Sequence, residues 1–296
     1  MSLFSPTEKR LVLSSMEISQ EEPDGIMYQH TVFCQTCLPY RNPGPDVRRW
    51  EKSQGNISLL INAGDVIDPL TNRFKNTGLP YGPKPRLILT HLNSEAMKNG
   101  NPLVEADSSL TAFVRRLGLA GSGRDIKVIK EQLTRLSTAT IKLAFHQGGD
   151  ALQFNSEIVK GFRLWKDAGE GQQAFWPGYV ELSDDYFTSL MTHAVPLDER
   201  AVGSLSHSAM ALDIYTWLAQ RLHRVNPHKP QFIPWTALKE QFGGDYGRMS
   251  DFKKVFRKTI VVVKSQYQDA KFDLDGKGMA LHNSLPPIRN KYHIRE

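Results

Sequence analysis

The chain has 296 residues, 40% of them hydrophobic and 23% charged, the make-up of a globular protein with length enough for two domains. Its 37 Lys and Arg against 31 Asp and Glu leave a net charge of +6, which favours a polyanionic partner. No apolar run approaches the roughly eighteen residues of a membrane span, and "MSLFSPTEKRLVLSSMEISQEEPDG" lacks a signal-peptide core with a cleavage site, so a cytoplasmic location is expected.

Residues 1–27 read as a flexible leader, with Glu8, Glu17, Glu21, Glu22 and Asp24 against Lys9 and Arg10. Two strand-like runs follow, 28–38 and 57–64, a β extension whose intervening loop carries Arg41, Arg48, Arg49 and Lys52. Cys34 and Cys37 have the spacing of half a zinc site, but the second ligand pair is missing and His30 lies on the same short segment. A strand there puts the thiols on opposite faces, so reduced bystanders are expected, with no metal and no cofactor. A polar linker, "TNRFKNTGLPYGPKP", leads to a helix at 86–98.

The next stretch, "DSSLTAFVRRLGLA", has a helical apolar period at Leu110, Phe113, Val114 and Leu117, with Asp107 or Ser108 as cap. It breaks at Gly121-Ser122-Gly123. "RDIKVIKEQLTRLS" then places Ile126, Ile129, Leu133 and Leu136 on one face and Lys127, Lys130, Thr134 and Ser137 on the other. Two β-like runs, 138–146 and 154–165, joined through "QGGD", complete the order of a winged helix-turn-helix. "WPGYVELSDDYFTSLM" supplies a strand and a helix capped by Ser183 or Asp184. The order then repeats: a long apolar helix (208–225), a shorter one ended by glycine (234–243), a glycine turn, a basic helix (251–267) and a hairpin around Asp275–Gly278. The expected fold is α+β, with tandem winged helix-turn-helix domains and an N-terminal β extension: leader 1–27, first domain 28–170, second domain 171–296.

"DFKKVFRKTIVVVKSQY", 251–267, carries most of the chemistry. At 100° per residue Phe252, Val255, Phe256, Thr259, Ile260, Val262, Val263 and Tyr267 share an arc of roughly 160°, with the cations and Val261 opposite. The β-branched run from Thr259 to Val263 favours a strand, but the adjacent pairs Lys253-Lys254 and Arg257-Lys258 break the alternation that a strand requires. A helix is predicted.

A winged helix lays its third helix in the major groove and its hairpin on the backbone or minor groove, so the outward face must supply cations and polar groups. In the second unit Arg248, Ser250, Lys253, Lys254, Arg257, Lys258 and Lys264 qualify, with Lys277 at the hairpin tip. Arg257 is the candidate for a guanine, whose O6 and N7 a guanidinium engages bidentately. In the first unit Arg124, Lys127, Lys130 and Thr134 qualify; Arg115-Arg116 suits either phosphate or solvent. Trp176, Trp217 and Trp235 fall on apolar faces and read as core, and Asp273 and Asp275 as turn residues. There is no G-x-x-x-x-G-K-[ST] loop, no G-x-S-x-G elbow and no His-hydrophobe-His pair, and His207 between two serines has no identifiable partner; no catalytic residue is expected.

With those elements placed, the chain resembles the plasmid-encoded RepA-type replication initiators. The resemblance is carried by "GLPYGPKPRLIL" (78–89), "YVELSDDYF" (179–187), "MALDIYTWLAQRL" (210–222), "IPWTALKEQFG" (233–243) and "FKKVFRKTI" (252–260), in an order that runs from about 28 to 288. It implies a bacterial, non-enzymatic protein that binds repeated double-stranded sites (iterons) in a plasmid origin, promotes melting of adjacent A·T-rich DNA, and recruits host helicase or initiator proteins, with plasmid copy control attached. It also implies a monomer–dimer equilibrium. The alternative is a winged-helix repressor bound to a single operator. Two recognition helices in one chain would enter successive major grooves about 34 Å apart.

Overall fold

A computed structural model describes residues 5–68, 71–105, 112, 114–115, 123–147, 150–154, 158–166 and 175–289. It is a mixture of α-helices and small antiparallel sheets, and its contacts divide the chain into two units. One joins Met1–Cys34 to Val195–Glu296, and the other is Gln35–Ala194. The boundary expected near residue 170 therefore differs from the observed division.

The acidic leader is not a loose tail, because Pro6–Gln20 forms helix α1. Ser5 caps it: its hydroxyl accepts the Glu8 N–H at 3.3 Å while Glu8 Oε2 accepts the Ser5 N–H at 2.8 Å, and Pro6 opens the first turn. The helix is clamped through its carbonyls by side chains distant in sequence. Gln266 donates to Leu11 O at 2.9 Å, Gln268 to Ser15 O at 2.8 Å, and Arg200 to Glu17 O and Glu21 O at 3.2 Å each. Strand β1 (Ile26–His30) then gives way to a short helix α2 (Thr31–Gln35) in place of the expected strand 28–38. Local side-chain bonds turn the chain there: Gln29 Oε1 accepts the His30 N–H and His30 Nδ1 accepts the Val32 N–H, at 3.0 and 3.2 Å. Cys34 and Cys37 are both free and buried, and burial pushes the Cys34 thiol far above the ordinary thiol range.

In the unit Gln35–Ala194, β2 (Arg49–Gln54) and β3 (Ile57–Asn62) form a hairpin, and β4 (Asp65–Asp68) pairs with β5 (Arg73–Asn76). Helix α3 (Pro83–Asn99) confirms the helix expected at 86–98 and ends on Gly100, which takes the left-handed conformation at φ 60°. Its Arg86 is only 5% exposed and gives its protons to Gly82 O and Leu38 O at 2.7 and 2.8 Å. After β6 (Leu103–Glu105), the helix expected over 107–120 lies outside the described residues except for Ala112, Val114 and Arg115, which are helical.

Helix α4 (Gly123–Thr138) leads into β7 (Thr140–Gln147), which pairs with β8 (Asp150–Phe154) across the expected turn. Here two expectations are corrected. Strand β3 is not an appendage: it lies between β2 and β7 in the order β2-β3-β7-β8, with Leu59↔Leu143 and Ile61↔Ile141 facing pairs, all four at most 2% exposed. The run 154–165 is not one partner strand for β7 either. It divides into β8 and β9 (Val159–Lys166), and β9 pairs with β10 (Phe175–Leu182), itself bound to β6. Alternation marks a strand's buried face but does not choose its neighbour. Helix α5 (Asp184–His193) is capped by Ser183, whose hydroxyl accepts the Tyr186 N–H at 3.2 Å.

The remaining chain runs β11 (Ala194–Asp198, beside β1), α6 (Glu199–Leu205), α7 (Ala209–Arg221), β12 (Gln231–Pro234), α8 (Trp235–Phe242), α9 (Met249–Gln266), β13 (Phe272–Leu274) and β14 (Gly278–Leu281). Strand β14 sits between β12 and β13. Gly278 is required at that crossing, since a Cβ there would come within 2.2 Å of Ile233 O. The core is aromatic: Trp217 meets Phe242 edge-on at 5.3 Å, and Phe242, Phe252, Phe256 and Trp235 continue the cluster at centroid distances up to 6.2 Å.

Candidate nucleic-acid interface

Helix α9 settles the conflict between its β-branched run and its amphipathic period in favour of the helix. Phe252, Phe256, Ile260, Val263 and the following Tyr267 are each no more than 2% exposed, so burial of one face outweighs the helix-propensity deficit of Thr259–Val263. On the outward side Ser250, Lys254, Arg257, Lys258 and Val261 are exposed, as is Arg248 at the N-cap.

The hairpin tip is tied to this helix. Trp235 is 3% exposed, and its indole N–H donates to Asp275 O at 3.0 Å. Lys253 Nζ and the Arg257 guanidinium stand 5.1 and 5.3 Å from its ring centroid. The same two cations donate to the tip carbonyls, Lys253 to Gly276 O and Arg257 to Asp275 O, both at 3.3 Å. Asp275 closes the turn by accepting the N–H groups of Lys277 and Gly278 at 2.7 and 2.8 Å, and these bonds hold its carboxyl below the usual carboxylate range. Lys277, exposed at the tip, thus shares an edge with the cationic face of α9. Trp235 was expected as core, which it is. Its second role as a platform for two cations had no sequence signal, because Trp235 and the tip are forty residues apart.

Lys264 behaves differently from the other expected contacts. Its ammonium donates to Gln268 O at 2.7 Å and to Ala270 O, and partial burial lowers its pKa; it braces the turn that leaves α9.

On α4, Ile129, Leu133 and Leu136 are buried as expected, and Lys127 is exposed. Lys130 and Thr134 are half-buried, with the Thr134 hydroxyl donating to Lys130 O at 3.1 Å. Ser137, expected on the polar face, is 5% exposed. Arg135, passed over in the sequence, gives protons to Leu79 O and Glu131 at 2.9 and 2.7 Å and lies 5.1 Å over the Tyr81 ring. The late turns of α4 are therefore packed all round, which confines its outward cations to the first half. Arg124 opens the helix, but its side chain lies outside the described residues, as does Arg116; Arg115 is exposed.

Burial also tunes two histidines of the C-terminal unit. Desolvation pushes His207 and His223 below the ordinary value of 6.5, helped by the neighbouring charges of Arg10 and Arg224 respectively. A histidine whose folded pKa is depressed contributes stability in full above 6.5, and that contribution is lost as pH falls from 6.5 through the folded value. Thermal melts between pH 8 and 5 should show the midpoint falling below about pH 6.5, and the double variant His207→Gln, His223→Gln should flatten that slope. A slope unchanged in the variant would assign the acid sensitivity to other groups.

Among the described residues no group of three or more His, Cys, Asp or Glu is placed to hold a metal ion, and no helix is long and apolar enough to cross a membrane. A search of curated proteins found no match to the chain. Among solved structures, a selenomethionine form of domains 2 and 3 of RctB is similar with a TM-score of 0.48 and 9% identity, over 74% of this chain and 79% of that one. A second structure of RctB domains 2-3 gives 0.47 and 10%, over 83% and 84%. The model of the plasmid-encoded RepA protein family matches residues 79–237, from the start of the α3 segment through β12 into α8. That match spans more than half of the chain, and the chain accordingly belongs to the plasmid-encoded RepA family of replication initiators.

Proposed function

We propose that this initiator binds repeated double-stranded sites, iterons, in its plasmid origin, promotes opening of adjacent A·T-rich DNA and recruits host helicase or initiator proteins. It does so in the bacterial cytoplasm, without catalysing a reaction, and through a monomer–dimer equilibrium. The observation that carries the reading is the exposed row Ser250, Lys254, Arg257 and Lys258 on α9 beside the Lys277 tip. The order α7, β12, α8, α9, β13, β14 supports the winged-helix reading. In that arrangement α9 enters the major groove and the tip meets the backbone. The exposed row spans about 12 Å at 1.5 Å per residue, enough for roughly three to four base-pair steps. Lys127, with Lys130 and Arg124 in the first half of helix α4, is the second contact surface in this reading, while Thr134 falls in the packed late turns.

Footprinting of the full chain on DNA flanking its gene tests this. Protection of a set of direct repeats is expected; protection of one unrepeated operator would favour a repressor, and no protection would reject DNA recognition. On a protected repeat, Lys127→Ala should weaken binding to all sequences alike and lower the slope of log affinity against log salt by about one. Site-specific nicking of supercoiled origin DNA with Mg²⁺ would overturn the non-enzymatic part.

A further inference from the structure

We propose that Val261 is a specificity-determining residue that packs on the C5-methyl group of one thymine in the recognised site. The inference rests on the reading of α9 as the groove helix. Val261 is 69% exposed, whereas Val255 and Val262 are half-buried and Val263 is fully buried. It sits one turn after Arg257 and Lys258 and two turns after Lys254, on the same outward ridge. The cations that would draw the duplex in therefore lead along the ridge, from its N-terminal side, to an apolar side chain.

A valine can do only certain things in that position. It has no donor or acceptor for a phosphate oxygen or a base edge. The major-groove edges of the base pairs offer a single apolar group, the thymine methyl. Against the polar edge of a guanine or cytosine, Val261 would strip water from acceptors or donors and return no hydrogen bond, which is costly. The side chain is also stiff, holding essentially one rotamer in a helix, so little freedom is lost on contact. A Lys or Glu at this solvent-facing position would suit the helix better. Packing among the described residues does not explain the valine, since the face it occupies is the one that their core leaves out.

The test uses the full chain and the duplex recovered by footprinting, with each thymine replaced singly by deoxyuridine, which keeps the pairing and removes only the methyl group. At one position the replacement should weaken wild-type binding roughly three- to tenfold, the worth of one buried methyl-sized contact. Val261→Ala should bind the thymine and uracil duplexes equally at that position and respond like wild type elsewhere. Because each protein is compared with itself on two duplexes, a difference in active fraction cancels; Val261→Ser, measured alongside, should show the same loss of discrimination. If wild type binds the duplex but every replacement affects all three proteins alike, the thymine contact is overturned. If the full chain binds no duplex at all, the groove reading falls and takes this inference with it, a failure recognisable by the absence of any complex.

Discussion

Arg257→Ala is expected to remove roughly 1–3 kcal/mol of sequence discrimination, on the order of ten- to a hundredfold, between the native repeat and one altered at a single guanine. A guanidinium reads guanine through two parallel N–H bonds, and Arg257 is exposed on the outward ridge of α9. The side chain also has a local duty, the 3.3 Å bond to Asp275 O and the contact over Trp235. Alanine would therefore loosen the hairpin tip as well as delete the base contact. Arg257→Lys separates the two effects: it keeps a cation over the indole and its share of the salt dependence, but it lacks the planar fork. Binding isotherms on native and guanine-substituted repeats, at several salt concentrations, should show both variants losing discrimination and only alanine losing salt slope. Unchanged binding in both Arg257→Ala and Lys127→Ala would sink the two-helix reading.

Phe256→Ala should be the most destabilising of the substitutions considered, costing about 3–5 kcal/mol in denaturant unfolding. The ring is fully buried, 5.4 Å from Phe252, 5.6 Å from Trp235 and 5.9 Å from Phe242, so its loss opens a cavity between α8 and α9. The slope of stability against denaturant should stay the same, because the surface exposed on unfolding barely changes. Val261→Ala, five residues along the same helix but on its open side, should shift stability by less than about 0.5 kcal/mol. A comparable loss in both would mean that α9 is not packed by the face described. The consequence for function is direct, because Trp235, held against Phe256, carries the two cations that bind the hairpin tip.

Much of this was written locally in the chain. The helix over 251–267, its buried face, the shorter helix ending at Gly243 and the hairpin around Asp275–Gly278 follow from period, glycine placement and charge segregation, and the structure reproduces each of them. The helix that replaces the expected leader was legible too. Ser5-Pro6-Thr7-Glu8 carries the capping-box spacing with proline at the first turn, a stronger signal than the acid count that suggested a mobile tail.

Partnership was not legible. Nothing in "ISLLINAG" says that it lies between β2 and β7, or that 154–165 divides between two sheets, because hydrogen-bonding backbone is alike in every strand. Nor does any local pattern show that Arg135 and Ser137 turn inward, that Lys264 braces a loop, or that Lys253 and Arg257 share an indole with a turn eighteen or more residues away. The sequence by itself determined which segments are helical, which faces are apolar and where positive charge gathers, since those depend on neighbours within a turn or two. Tertiary structure alone decided which cations are spent on the protein's own carbonyls and which still face outward. A side chain's partners are set by what packing brings within about 3 Å of it, and that distance is not encoded in any one stretch of chain.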